Sequence, residues 1–408
     1  MEEKLLRDYA RLIAQKGGHV LKGEEVWITA GLDQPEFVTM VVEECYKAGA
    51  KSVEVFWTHN PVYKLDYKYC SVSTLSRVSP YYLAKLKYRV KKLPITIYID
   101  SDDPDAMKGV SQAKMAKSMA KRYPKIKKYF DAMDGKYKWT IAAVPSKAWA
   151  KKVFPKLSED EAVEALWAAI LKTARVDGND PVENWNKHNS FLIQQRNKLM
   201  SLNLKKLIYK ASNGTDFQVE LIDKMRWGGG VEEAPNKGEF NPNIPSEEVF
   251  TTPMRGKAEG KLVASKPLSY QGQLIEDFSI SFKDGKVSEV KARKNQSLLE
   301  KMVKMDEGAS MLGECALVPF ESPINQTGIL FYNTLFDENA CCHVALGMGF
   351  ADLYPGGVDM TPEQKLATGI NDSMIHVDFM IGTRDLSIIG VDEKGKQVQL
   401  FKDGTWAI

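Results

Sequence analysis

The first half of the chain alternates short apolar strands with amphipathic helices. Residues 25–30 (EVWITA) and 52–57 (SVEVFW) are strand-like, and residues 35–48 between them carry apolar side chains at helical spacing. A strand, a helix and a strand at this spacing form a βαβ unit with parallel strands. Further strands at residues 95–99 and 139–144 continue the pattern. The sequence therefore predicts a doubly wound α/β domain with a mostly parallel sheet.

The sequence pattern changes near residue 203. From there, turn dipeptides such as Asp284-Gly285 separate pairs of strand-like runs, which is typical of β-hairpins. A chain of 408 residues is also too long for one ordinary hydrophobic core. We therefore predict an α/β scaffold or substrate-wall domain over residues 1–203 and an α+β domain over residues 204–408.

Composition and short motifs exclude several classes of protein. The net charge of +3 is too small to favour nucleic acid or an anionic membrane surface as a partner. No apolar run reaches the ~20 residues of a membrane span, and the N-terminus lacks the apolar core of a signal peptide. The five cysteines suggest no disulfide framework. We expect a cytoplasmic protein that binds neither nucleic acid nor membrane.

The predicted α/β domain lacks a recognisable nucleotide loop. Neither GxGxxG after a strand nor GxxxxGK[ST] is present, so the domain is interpreted as a scaffold. A basic run between residues 114 and 128 is interpreted as the solvated face of a helix over residues 105–134, broken at Pro124. The histidines His19, His59 and His188 have no carboxylate or cysteine at ligand spacing and are interpreted as surface or packing residues.

The second half contains histidines close to carboxylates. In His376-Val377-Asp378 the imidazole and the carboxylate would project from the same face of a strand. They could be joint metal ligands, or a strand-end histidine hydrogen-bonded to an aspartate. Glu338 and His343 would lie just over one turn apart if their segment begins a helix, although acidic residues also complement a helix N-terminus.

Three glutamates extend this set. Glu314 stands just ahead of an apolar run, where it is either exposed or directed into a cleft with a cation as its partner. Glu247 and Glu248 are adjacent, so on extended chain only one of them faces the metals. The other could orient the site or act as a general base. Carboxylate-rich ligation without HExxH favours two ions about 3.5–4 Å apart that share one bridging carboxylate.

Four stretches of this region resemble one enzyme family. NIPSEEVFTTP, GECALVP, LFDENACCHVALG and SMIHVDFMIG together are similar to the motifs of the aminopeptidase T and aminopeptidase S family of leucyl-type metalloaminopeptidases. The resemblance implies a homodimer that uses two divalent ions, zinc or cobalt, with magnesium or manganese as alternatives. It implies that Glu314 bridges the ions and that the further ligands are Glu248, Glu338, His343, His376 and Asp378.

One position departs from the family pattern. The family has a tyrosine seven residues after the motif histidine, and Phe350 occupies that position here. A phenol that could touch a metal or stabilise the oxyanion is therefore missing, and Tyr354 or Tyr332 are the candidates to replace it.

These observations predict a metalloaminopeptidase that releases N-terminal amino acids from peptides. Water activated between the ions would attack the scissile carbonyl, and Glu247 would carry the proton to the leaving amine. Glu314 would hold both ions. The alternatives are another two-metal amidohydrolase or dipeptidase, and a weakly active peptide-binding relative, which Phe350 would explain.

Overall fold

The computed structural model describes residues 1–101 and 103–408. The chain forms two compact units, and each of them is built from two segments. The first comprises Met1–Asn186 and Val231–Ile244, and the second comprises Lys187–Gly230 and Pro245–Ile408. The single boundary expected at residue 203 stays a prediction.

The helices have lengths typical of a mixed α and β protein. Short π and 3-10 turns occur at Ile13–Gly17, Gly308–Ser310, Glu338–Ala340 and Gly357–Asp359. In chain order the α-helices are α1 (Glu3–Leu12), α2 (Pro35–Lys47), α3 (Asn60–Tyr69), α4 (Val72–Leu75), α5 (Pro80–Lys92), α6 (Gln112–Met133), α7 (Lys147–Val153), α8 (Glu159–Thr173), α9 (Pro181–Ser201), α10 (Gln296–Met302), α11 (Pro323–Gln326), α12 (Thr334–Asp337) and α13 (Pro362–Ala367).

Most strands follow residue 203. In chain order they are β1 (Glu25–Gly31), β2 (Ser52–Thr58), β3 (Ile95–Asp100), β4 (Trp139–Ala143), β5 (Leu204–Lys210), β6 (Asp216–Leu221), β7 (Glu232–Ala234), β8 (Gly238–Phe240), β9 (Asn243–Ile244), β10 (Val249–Thr251), β11 (Pro253–Val263), β12 (Leu268–Tyr270), β13 (Gln273–Lys283), β14 (Lys286–Lys294), β15 (Leu312–Leu317), β16 (His343–Gly347), β17 (His376–Met380), β18 (Ser387–Asp392), β19 (Gln397–Lys402) and β20 (Thr405–Trp406).

The first unit is organised around a parallel sheet. Its strand order is β2-β1-β3-β4-β9, and every pairing is parallel. The central strands are apolar on both faces, as the adjacent buried residues Trp27 and Ile28 of β1 illustrate, because helices cover such a sheet from two sides. The predicted α/β region is confirmed. No helix within the described ranges is long and apolar enough to cross a membrane.

One helix prediction in this unit is wrong. The break expected at Pro124 is absent, and α6 runs from Gln112 to Met133 with the proline inside it. A proline removes one helical hydrogen bond and crowds the carbonyl four residues earlier. Here Pro124 and Ala120 are both exposed, so the freed carbonyl can be solvated.

The second unit contains two antiparallel sheets. The larger has the order β12-β13-β11-β6-β5-β18-β19-β20, with β14 paired to β13. The predicted hairpin between β13 and β14 is confirmed, and Asp284 and Gly285 both have positive φ, at 51° and 75°, as a type I′ turn requires. The smaller sheet has the order β10-β15-β16-β17.

The smaller sheet has one apolar face that belongs to the core of the second unit. Cys315, Val344 and Phe379 point from this face into the same buried cluster as Tyr209 and Phe278 of the larger sheet. The Phe278 and Phe379 rings lie 5.7 Å apart between centroids. This packing fixes the smaller sheet and leaves its opposite face for polar residues.

We predict that Phe379→Ala destabilises the chain by about 3–5 kcal/mol, because it opens a cavity in this shared core. Urea unfolding would measure the loss. The half-exposed Phe191 is the matched control, and Phe191→Ala should change stability by no more than about 0.5 kcal/mol. Equal losses in the two variants would contradict this account.

Candidate metal centre

The polar face of the smaller sheet gathers most of the predicted site residues. Side chains alternate between faces along each strand. In the ladders, Ala345 of β16 lies opposite both Glu314 of β15 and Asp378 of β17, and Gly347 lies opposite His376. Side chains in register across a sheet point to the same face, so these carboxylates and the imidazole lie on one face of the sheet. Val344 and Phe379 point to the opposite face.

Two groups of three potential ligands form on this face. Glu248, Glu314 and His343 are one group, and Glu314, His376 and Asp378 are the other; within each, the ligand atoms lie within 4.8 Å of one another. His343 Nε2 is 3.2 Å from Glu248 Oε2, and His376 Nε2 is 3.1 Å from Glu314 Oε2. Glu314 therefore belongs to both groups.

The centre of this face is lined by small residues. Ala316 and Ala345 are fully buried at the positions between the ligand-bearing strands. Small side chains therefore stand in register with Glu314, His343 and Asp378 on this face.

Burial of several carboxylates together raises their proton affinity. The pKa of Glu314 is raised to about 7, first by burial and then by the charges of Asp378 and Glu248, with His376 opposing the shift. Burial likewise raises the pKa of Glu338 well above its usual range, and Asp378 and Glu248 add to the effect. The face therefore favours any arrangement that brings positive charge to it.

The two histidines respond to the same field in the opposite sense. Burial alone would lower the pKa of His376, but Asp378 and Glu314 raise it to about 12. The pKa of His343 is likewise raised well above its usual value by Glu248 and the other carboxylates, against the effect of burial. His376 in turn outweighs burial at Asp378, whose pKa is lowered.

Two buried polar atoms on this face are better suited to bind a divalent cation than to pair with the protein groups around them. Within the part of the chain that the structure describes, His343 Nε2 and Asp378 Oδ1 make no hydrogen bond, although each has an oppositely charged group within 3.3 Å. Imidazole nitrogen and carboxylate oxygen are common ligands of zinc and cobalt. Buried ligand atoms without hydrogen-bond partners, together with crowded carboxylates, fit metal ions.

Glu338 differs from its expected setting. The condition under which Glu338 and His343 would lie on one helix is not met, because Glu338 begins a 3-10 turn and His343 begins β16. Cys341 adopts extended backbone between them, which turns the chain into the sheet. Glu338 belongs to neither group of three, but the charges of Asp378, Glu248 and His343 act on its carboxyl, and Asn339 Nδ2 donates to its Oε1 at 3.3 Å.

Glu247 lies beside Asn339, which no sequence pattern singles out, and beside His188. Its backbone N–H donates to Asn339 Oδ1 at 2.8 Å, and its Oε2 lies 3.9 Å from His188 Nε2. His188 is buried and hydrogen-bonds the Ser246 carbonyl at 2.7 Å, so its assignment to surface or packing was incomplete. His188 is 58 residues from Ser246, and no local pattern could have linked them.

Phe350 lies against the ligand set. Its ring centroid is 4.9 Å from that of His376 and 5.2 Å from that of Phe250, which is two residues after Glu248. Tyr354 packs with Phe350 in a small apolar cluster, and Tyr332 has left-handed backbone at φ 57°. The position of the missing phenol therefore adjoins the imidazole, and its replacement by Tyr354 or Tyr332 stays a prediction.

These features are those of a candidate metal centre on one face of an antiparallel sheet, as in a metalloenzyme. The model of the family described as thermophilic metalloprotease (M29) matches residues 2–406, and the chain belongs to that family. Aminopeptidase AmpS of Bacillus subtilis is 38% identical over 405 residues, which cover 98% of each chain. Aminopeptidase T of Thermus aquaticus is 35% identical over 410 residues, covering 99% of this chain and 98% of the relative.

Solved structures agree with this assignment. Wild-type AmpT from Thermus thermophilus superposes with a TM-score of 0.91 at 32% identity, and each chain is covered completely. A 2,5-dihydroxypyridine dioxygenase from Pseudomonas putida, at 11% identity and a TM-score of 0.51, shares the fold alone. The predicted family is confirmed, as is the predicted function: the chain is a metal-dependent aminopeptidase, a hydrolase acting on peptide bonds.

We predict that Gly229→Ala weakens the site. Gly229 has φ +117°, and an added Cβ would lie 2.4 Å from the Glu248 carbonyl oxygen, so the substitution strains the backbone and displaces Glu248. The free energy of unfolding should fall by about 1–3 kcal/mol. The stabilisation that added zinc or cobalt gives in thermal unfolding should also shrink.

Gly395→Ala is the control for backbone strain alone. Gly395 also has positive φ, but an added Cβ would meet nothing within 4 Å. It should cost about 1–2 kcal/mol and leave the response to metal unchanged. The same metal response in both variants would refute the account of Gly229.

Proposed function

We propose that this aminopeptidase works with two divalent ions held on the polar face of the smaller sheet, with Glu314 between them. The observation that carries the proposal is that Glu314 belongs to both groups of potential ligands. A carboxylate has two oxygens, so it can bind two ions that lie about 3.5–4 Å apart.

The ligands divide between the two positions. Glu248 and His343 would hold one ion with Glu314, and His376 and Asp378 would hold the other. Glu338, whose carboxyl responds to the charges of both groups, would complete the set. The mixture of imidazole and carboxylate favours zinc or cobalt over magnesium or manganese. Bound ions would polarise the scissile carbonyl and activate a water for attack.

Glu247 is the proposed proton carrier. It is buried next to the ligand Glu248 and directed differently, towards His188. Asn339 holds its backbone, and the same amide holds Glu338, so one side chain orients both glutamates. Glu247 would accept a proton from the attacking water and deliver it to the leaving amine.

The remaining assignments follow from the family resemblance. We propose a cytoplasmic homodimer that takes peptides with a free N-terminal amine. The α/β region would serve as a scaffold or substrate wall, with its boundary to the catalytic domain near residue 203.

We predict that Glu314→Gln abolishes the binding of two ions and reduces peptide hydrolysis to background, because it removes a charge shared by both positions. Glu248→Gln should weaken one ion only. Metal content by mass spectrometry and titration with cobalt would measure the effects. Glu247→Gln is the companion variant: it should keep both ions while kcat falls about 10²–10⁴-fold. Two ions bound by Glu314→Gln with unchanged affinity would refute the bridging role.

A second candidate is a weakly active peptide-binding relative, and the position of Phe350 beside His376 favours it. A phenol there could reach the reacting oxygen, whereas a phenyl ring cannot donate a hydrogen bond.

We predict that Phe350→Tyr raises kcat if the site has lost a stabilising donor, by up to about 10²-fold. Hydrolysis of a peptide with a free amine would be compared with that of an N-acetylated copy. Phe350→Leu is the control for packing and should bring no gain. Unchanged kcat in the tyrosine variant would show that the phenol is dispensable.

A further inference from the structure

Asp306 fixes the segment that leads into His376. Its carboxylate accepts hydrogen bonds from the Met374 N–H at 2.7 Å, from the Ser373 hydroxyl at 2.8 and 3.0 Å, and from the Ala309 N–H at 2.8 Å. Burial would raise the pKa of Asp306, but these donors, with Met374 foremost, hold it below its usual value. Asp306 is therefore ionised at neutral pH, and its hydrogen bonds are charge-assisted.

A buried asparagine, Asn371, also anchors this segment. Asn371 Nδ2 donates to the Gly308 carbonyl at 2.9 Å and to the Gly347 carbonyl at 2.6 Å, and its Oδ1 accepts from Arg255 at 3.2 Å. The Asp372 carbonyl lies so close to Gly308 that a Cβ there would be 1.9 Å from it. The turn around residues 306–309 thus clamps residues 371–374 directly, backbone against backbone.

The clamp continues to the imidazole by hydrogen bonds. Ser373 Oγ accepts from the Ile375 N–H at 3.2 Å, and the Ile375 carbonyl accepts from the Met348 N–H at 2.7 Å. The Met348 carbonyl then lies 2.7 Å from His376 Nδ1. An Nδ1–H donor to this carbonyl directs Nε2 towards Glu314 and Asp378.

The exposed side chain of Met374 shows why such a clamp is needed. Met374 is 76% exposed, so it contributes almost no apolar packing to hold its own backbone in place. The position of the strand that begins at His376 therefore depends on the polar contacts of the residues just before it. The Asp306 carboxylate alone accepts hydrogen bonds from two of these residues, Ser373 and Met374.

We propose that Asp306 is a positioning residue that orients His376, and through it one of the two metal positions. The inference rests on the proposed two-ion site for its effect on metal binding. Asp306 belongs to neither group of candidate ligands, and its action is confined to the position that His376 and Asp378 build. The position built by Glu248 and His343 should not depend on it.

The first test reads the imidazole without metal. The chain has five histidines, so ¹⁵N-histidine labelling gives a spectrum with few signals. In the metal-free protein, Asp306→Ala should shift the His376 signals and expose its hydrogen-bonded Nδ1–H to exchange, while the His343 signals stay in place. An unchanged His376 spectrum would overturn the proposal whatever the metal data show.

The second test reads the metal positions. Titration of the full chain with cobalt, followed in the visible spectrum, should show one ion bound about 10–100-fold more weakly in Asp306→Ala and the other unchanged. Ser373→Ala should also weaken the binding of this ion. The double variant should bind it no more weakly than Asp306→Ala, because both substitutions break the same set of hydrogen bonds. Equal weakening of both ions would indicate general loosening and overturn the proposal.

Asp385→Ala is the matched control. Asp385 also accepts hydrogen bonds from a backbone N–H and a hydroxyl, those of Ser212 and Thr383, and its pKa is likewise lowered. It should leave both cobalt affinities and the His376 signals unchanged, and a loss like that of Asp306→Ala would count against the proposal. If the wild-type chain bound only one ion, the two-ion function would be refuted. If the His376 signals still shifted in Asp306→Ala, the orienting role of Asp306 would remain supported.

Discussion

The concentration of negative charge on one face of a small sheet is the constraint on which the rest of the site depends. Glu248, Glu314 and Asp378 are buried side by side, where an uncompensated carboxylate costs several kcal/mol. The raised pKa values of Glu314 and His376 are two expressions of this one demand for positive charge. Divalent cations satisfy it without protonating the groups that bind them.

Much of this arrangement is accessible from sequence because it is local. The βαβ repeat and the Asp284-Gly285 turn act over a few residues, and the structure confirms both. The expectation that His376 and Asp378 share a strand face is also confirmed, since alternation along a strand follows from covalent geometry. Some candidate ligands carry local signals as well, because Glu338 and Asp378 stand within five residues of a histidine in the sequence.

Contacts between segments that are distant in the chain leave no local pattern in the sequence. His188 and Glu247 meet across 59 positions, and Asp306 reaches Met374 across 68. Such contacts depend on how whole elements pack, which short patterns do not encode. The segment from Glu338 to His343 does not continue as a helix for a related reason: His343 pairs with β15 and β17 in the sheet.

The alternation of ligands and core residues along the same strands has an effect on folding. On β16, His343 and Ala345 face the carboxylates, whereas Val344 and Leu346 face the apolar core. If a strand slipped by one residue, the two sets would exchange places, carrying charged groups into the core and aliphatic groups onto the polar face. Both faces thus penalise the same misalignment. The candidate metal ligands and the register of strand pairing are therefore specified by the same strands.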